Sequence, residues 1–187
     1  MGRRKTIPDE AVLDALLAVL KVAGPDRLSF ATASKASGLA AATLVQRFGS
    51  REAMVEAVLL HAWDALDRAT AAADSRAPAT AAGAVALLVE LTPQQTASDE
   101  LADGLLLLRE DFRNPVLRAR GLAWGQTLAR ALGRRLATRP EDTERLGWQM
   151  ARLWQGTLIW WGFTREGSLR VHMEAALQGG RPGGDAT

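Results

Sequence analysis

The sequence predicts an all-α protein, and three observations predict it. Alanine, leucine and arginine, all strong helix formers, dominate segment after segment. Alternating apolar–polar runs with β-branched clusters, which would mark strands, are absent. Glycines and prolines fall between stretches whose apolar residues recur at helical spacing. No internal repeat is evident.

The first helix begins at Pro8, because proline suits the first helical position, where its missing N–H costs nothing. Asp9 and Glu10 then set negative charge at the positive end of the helix dipole. Val12, Leu13, Leu16, Leu17, Val19 and Leu20 form a broad apolar face, and Gly24-Pro25 ends the helix. Ser29, a good N-cap, opens a short second helix that runs to Ser37, and Gly38 makes a tight turn. A third short helix covers about Ala40 to Phe48, and Gly49-Ser50 breaks and recaps the chain. A long helix starts at Arg51, carries Met54, Val55, Val58, Leu59, Ala62, Trp63 and Leu66 at helical spacing, and runs past residue 70. Segment 74–80 is a connection. Further helices cover 81–91, 97–111, 115–137, 142–163 and 168–178, broken at Pro93, Asn114-Pro115, Arg139-Pro140 and Glu166-Gly167-Ser168. The glycine-rich end, 179–187, cannot pack a core and is expected to be disordered.

The chain has 187 residues, 48% hydrophobic and 24% charged, the balance of a globular protein. It has no cysteine, which excludes a disulfide framework, a thiolate metal site and a cysteine nucleophile, and fits a reducing cytoplasm. Met1-Gly2-Arg3-Arg4-Lys5 is basic, but no apolar stretch follows as in a signal peptide. No run of 18 apolar residues is present to span a membrane. Twenty arginines against three lysines, with many alanines, are the composition of a GC-rich bacterial genome. The net charge of +2 is unevenly placed. Residues 1–51 hold eight Lys/Arg against four Asp/Glu, whereas 52–187 hold fifteen against seventeen. A basic first quarter on a mildly acidic remainder points to a polyanion partner.

Two helices of eight or nine residues joined at Gly38-Leu39 have the size and punctuation of a helix-turn-helix. Leu44 and Phe48 lie on one face of the second helix and pin it to its neighbours. Ala41, Thr43, Val45, Gln46 and Arg47 lie on the opposite face. Small residues let the backbone approach a groove, glutamine can bond adenine and arginine can bond guanine in bidentate fashion. Ser50 caps the long helix, whose free N–H groups, with Arg51, offer a phosphate site.

These residues carry a resemblance. Ala36-Ser37-Gly38-Leu39, then Thr43-Leu44-Val45, then Phe48-Gly49-Ser50-Arg51-Glu52-Ala53-Met54 resemble the DNA-binding domain of the TetR family of transcriptional regulators, over about residues 8–60. The family commonly has a phosphate-touching tyrosine where Val45 stands, a serine cap where Ala40 stands and a lysine where Arg51 stands. The resemblance implies a three-helix helix-turn-helix DNA-binding domain at 1–51, including a basic arm at 1–7, and a helical effector-binding and dimerisation domain at 52–178. The candidate DNA contacts are Arg3, Arg4, Lys5, Ser29, Lys35, Ala41, Thr43, Val45, Gln46, Arg47, Ser50 and Arg51.

All six tryptophans lie after residue 60, and large apolar side chains around a between-helix cavity suit a mostly apolar ligand. By position in the family, Trp63, Leu105, Leu108, Phe112, Trp124, Met150 and Trp154 are the candidate effector contacts. Helices 115–137 and 142–163 resemble the pair that forms the family's four-helix dimer interface, with Gly147, Ala151 and Gly156 permitting close approach there and Trp160 and Trp161 anchoring either the interface or the pocket floor. The implied protein is a homodimeric repressor of a palindromic double-stranded operator, released by a small apolar effector, without cofactor, metal or membrane partner. The long helix from Arg51 is expected to carry the movement. A helical interaction protein that binds no DNA is the alternative.

Enzymatic motifs are missing. There are two histidines, His61 and His172, and no tyrosine. His61 and Asp64 read as a surface pair, not a catalytic dyad. His172-Met173-Glu174 lacks a second metal-ligand pattern, and no phosphate-binding glycine loop or nucleophile elbow appears. Trp154 to Phe163 is apolar but lacks the basic face of a membrane-surface helix.

Overall fold

A computed structural model describes residues 7–93 and 107–180. Its described residues are helical, with no strand among them. They pack as two compact units. The first contains the chain up to Ala65 and from 107 to Arg120. The second contains Leu66 to 93 and Gly121 to 180. The boundary expected at residue 51 therefore falls inside the first unit.

In the first unit, α1 (Asp9–Ala23) puts Val12, Leu16 and Leu20 on one face at a spacing of four, and all three are fully buried. A single 3₁₀ turn (Pro25–Arg27) leads to α2 (Phe30–Ser37). The start of α2 is a capping box: the Ser29 hydroxyl accepts from the Thr32 amide at 3.2 Å, and the Ser29 amide donates to Thr32 Oγ1 at 2.8 Å. Gly38, at φ 72°, supplies the left-handed step into α3 (Ala41–Phe48). Two serines hold that turn. Ser34 Oγ donates to the Leu39 carbonyl at 2.7 Å, and Ser37 Oγ accepts from the Leu39 amide at 3.3 Å. The core joins Val12, Leu16 and Leu20 with Leu28, Ala33, Leu44, Met54, Val55, Val58, Leu59 and Leu117. Leu44 is fully buried and Phe48 packs against this core, as the four-residue spacing predicts.

The long helix α4 (Arg51–Arg76) continues through residues expected to be a connection, so the link to α5 (Ala81–Leu91) is only 77–80. The reason is long-range: Asp74, Ala77 and Pro78 are bonded to Arg135, which fixes the helix end. The expected 97–111 helix lies partly outside the described residues, and its described part, α6 (107–113), runs two residues further. Asn114 then caps α7 (Pro115–Leu136), its Oδ1 accepting from the Val116 amide at 2.8 Å. A 3₁₀ turn (Pro140–Asp142), α8 (Thr143–Thr164) and α9 (Leu169–Gly179) follow. Helix α9 thus takes in the first residue of the tail expected at 179–187, and residues 181–187 lie outside the described set.

In the second unit, α5 is buried nearly all round by Gly83, Ala84, Val85, Leu87, Leu88 and Val89. Helices α7 and α8 of the same chain approach very closely. A Cβ on Gly147 would sit 1.9 Å from the Ala129 carbonyl oxygen, and one on Gly133 would sit 1.9 Å from the Thr143 carbonyl oxygen. Gly147 and Ala151, expected at a surface between two chains, are buried in this internal crossing, whereas Gly156 faces open space.

Candidate nucleic-acid interface

The interface is built on α3, which three local devices hold in place: the Gly38 turn, the Leu44 and Phe48 anchors, and Gly49 at its C-terminal end, whose amide donates to the Val45 carbonyl at 2.8 Å. The outward residues Ala41, Ala42, Thr43, Val45 and Gln46 are all exposed. No side chain caps α3 at Ala40. Lys35 on α2 is exposed as well. This surface is small, mostly uncharged, and carries one amide side chain able to read a base edge.

The two arginines expected beside it, Arg47 and Arg51, are partly buried and paired within the module. Arg47 Nη1 lies 3.1 Å from Asp9 Oδ1 at the start of α1, and its side chain is only 24% exposed. Arg51 donates from Nε to the Leu28 carbonyl at 2.8 Å and from Nη2 to the Pro25 carbonyl at 2.5 Å. It straps the first turn of α4 to the segment before α2. Both have partners within the module in the DNA-free chain. Arg51 has two carbonyl acceptors, whereas Arg47 Nη1 has the Asp9 carboxylate at ion-pair distance and no hydrogen bond. Ser29 and Ser50 are the caps of α2 and α4, Ser50 Oγ accepting from the Ala53 amide at 3.1 Å. Arg3, Arg4 and Lys5 lie outside the described residues.

His61 is buried, with Nε2 2.7 Å from Asp14 Oδ1 on α1. This corrects the expected surface pair with Asp64, whose carboxylate instead accepts from Arg120 at 2.9 Å. The histidine staples α4 to α1. Among the described residues, no group of His, Cys, Asp and Glu is arranged to hold a metal ion, and no helix is long and apolar enough to cross a membrane.

The candidate effector residues divide between the units. In the second, Trp124, Met150 and Trp154 are core residues. The two indoles lie 6.4 Å apart, and each N–H has an internal hydroxyl partner: Trp124 donates to Thr70 at 3.0 Å and Trp154 to Thr92 at 2.9 Å. In the first unit, Trp63 and Leu108 are half-buried, Phe112 is 68% exposed, and Leu105 lies outside the described residues. Sequence reasoning missed Asp111. This aspartate is 7% exposed, and its Oδ1 accepts from Trp63 Nε1 at 3.0 Å. Burial pushes its carboxyl above the ordinary aspartate range, against the opposing pull of the indole bond. Its signal in the sequence is the spacing of three from Leu108, which puts an acid on the inward stripe of α6. A cleft of about 430 Å³ in the first unit, lined by Asp26, Arg51, Glu56, Glu110, Arg113 and Asn114 among others, takes in none of these candidate effector residues.

A helix-turn-helix seated on an α1–α4 core, in a chain otherwise built of further helices, defines the class: the fold of the TetR-family transcriptional regulators. A protein described as a TetR-family regulator from Rhodococcus sp. superposes with a TM-score of 0.66 at 18% identity, covering 92% of this chain and 97% of its own. A transcriptional regulator from Saccharomonospora viridis, in complex with choline, gives 0.67 at 23% identity, over 90% and 92%. The multidrug binding protein EbrR, complexed with imidazole, gives 0.65 at 18% identity, over 97% of both chains. No family model matches the chain, and no curated protein matches it by sequence.

Proposed function

We propose that the chain is a DNA-binding transcriptional regulator, acting as a homodimeric repressor in the cytoplasm and released from its operator by a small molecule. The observation that carries this is the presentation of α3: an exposed row of Ala41, Thr43, Val45 and Gln46 on a helix fixed by Leu44 and Phe48. Nothing on that face blocks the backbone from entering a major groove. Thr43 and Gln46 read bases, while Lys35 and the basic arm Arg3, Arg4 and Lys5 supply phosphate contacts that Arg47 and Arg51 do not. Ser50, at the cap of α4, keeps its hydroxyl proton for a phosphate, and Ser29 lies at the cap of α2.

The dimer supports a palindromic operator, because two α3 helices about 34–36 Å apart meet successive major grooves. The exposed stripe of Ile159, Trp160 and Phe163 on α8, with Gly156 open beside it, suits a second copy of this chain. The small-molecule effector is supported by the fold's occurrence in proteins crystallised with choline and with imidazole. Trp63 and Leu108 are its contacts in the first unit.

Fluorescence anisotropy with a labelled duplex from upstream of the chain's own gene tests this. The protein should bind it with an affinity that falls steeply with salt. Gln46→Ala should cost about 1–3 kcal/mol of discrimination at one base position. Lys35→Ala should weaken all duplexes alike and reduce the salt slope by about 1. A protein that stays monomeric in sedimentation, or that retains no duplex at low ionic strength, overturns the reading.

A further inference from the structure

We infer that α3 selects A·T base pairs in the major groove, with Gln46 reading an adenine edge and Val45 the methyl group of a thymine. This deepens the proposed function by naming the base chemistry of the operator, and it rests on that reading for the presence of DNA.

The side chains that α3 leaves exposed are Ala41, Ala42, Thr43, Val45 and Gln46, and none is charged. Val45 is 44% exposed, although the same helix buries Leu44 in the core and packs Phe48 against it. Ala42 and Gln46 stand one turn apart in the middle of the outward face, with Thr43 and Val45 flanking them. The face is therefore aliphatic carbon interrupted by one amide and one hydroxyl.

Each base pair shows its own pattern in the major groove. A G·C pair offers the guanine N7 and O6 acceptors and the cytosine amino donor, and no apolar group. An A·T pair offers the adenine N7 acceptor and amino donor, the thymine O4 acceptor and a methyl group. Docking α3 removes water from whatever lies beneath it. Under Val45 or Ala42 a G·C pair would lose that water and gain no hydrogen bond, which is unfavourable. A thymine methyl in the same place gives up no hydrogen bond and adds apolar burial.

The polar groups of the face agree. The glutamine amide carries a donor and an acceptor side by side, the match for adenine N7 and its amino group. Guanine presents two neighbouring acceptors, which an arginine fork suits best. The one arginine of α3, Arg47, has Nη1 3.1 Å from the Asp9 carboxylate and a side chain only 24% exposed. Reading guanine with it would give up that ion pair.

The test selects duplexes from a random-sequence pool with the full chain, then alters single groups in the selected operator and measures affinity by fluorescence anisotropy. Exchanging one thymine for deoxyuridine removes only a methyl group and should lower affinity about fourfold. The same exchange should leave Val45→Ala unaffected, because the side chain that met the methyl is already shortened. Exchanging one adenine for 7-deazaadenine removes N7 and should lower wild-type affinity about tenfold, and that of Gln46→Ala little. Should either variant fail to fold, the two exchanges measured with the wild type still decide. Tolerance of deoxyuridine at every thymine overturns the inference. So does a methyl effect that persists in Val45→Ala, or an operator sensitive only at guanines through Arg47. Each of these leaves the regulator reading standing, whereas a pool from which no duplex is enriched overturns both.

Discussion

Among the described residues, each compact unit holds a charged side chain with little exposure, and the two are treated in opposite ways. In the second unit Arg135 is 7% exposed and every one of its five N–H groups is used. It donates to Asp74 Oδ1 at 2.5 Å and to the carbonyls of Asp74, Ala77, Pro78 and Ala131 at 2.7–3.0 Å. In the first unit Asp111 is equally buried but accepts from one neutral indole. Where a charge serves the fold alone, the fold surrounds it with partners. The contrast teaches that burial alone does not say how well a charge is compensated; its partners do.

The largest effect expected from this comparison is at Arg135. Removing its guanidinium leaves the Asp74 carboxylate with Arg134 alone and takes the donor from three carbonyls around the end of α4, so Arg135→Ala should cost on the order of 3 kcal/mol in denaturant unfolding. A loss under 1 kcal/mol would show that the contrast between the units is one of geometry without energetic weight. Arg51 falls between the extremes, with two carbonyl acceptors and a side chain 37% exposed. Arg51→Ala should destabilise by about 1–2 kcal/mol. It should also lower duplex affinity with the salt slope unchanged, because the strap that holds the first turn of α4 to the segment before α2 is lost and no phosphate contact is. A slope that falls by about 1, with stability intact, would return Arg51 to the phosphate-binding role that the sequence suggests.

What was legible in the sequence was what local chemistry decides. Ser29 and Ser50 as caps, Gly38 as a left-handed turn, and Leu44 with Phe48 as anchors all follow from residues within a few positions of one another. The features that escaped are pairings across long separations. Arg47 with Asp9, His61 with Asp14, Trp63 with Asp111 and Arg135 with Asp74 join positions from 38 to 61 apart, and which acceptor a long side chain meets is settled only when helices pack. Gly147 shows the same limit from another side. Its size announces a close helix approach, but nothing in its neighbours says whether the approaching helix belongs to the same chain. The exposed face of α3 was legible because it needs no partner within the fold.

The smallest expected effect sharpens the comparison most directly, through the pH dependence of stability. Burial raises the Asp111 carboxyl pKa in the folded chain above the ordinary aspartate value of 3.8. The folded state then holds its proton to higher pH than the unfolded state does, so between the two values the folded chain binds more protons. Stability therefore falls as pH rises through that window, and the ionised carboxylate leaves a constant penalty above it. Asp111→Asn keeps the shape and the acceptor but cannot ionise. It should be slightly more stable than the wild type at neutral pH, by on the order of a few degrees in melting temperature or less. The advantage should shrink and vanish as the pH is lowered toward the acid range. Thermal melts of both proteins across pH 3–8 measure it. An asparagine variant that is less stable at neutral pH would mean that the ionised carboxylate is well compensated after all, and the two buried charges would then belong to the same kind.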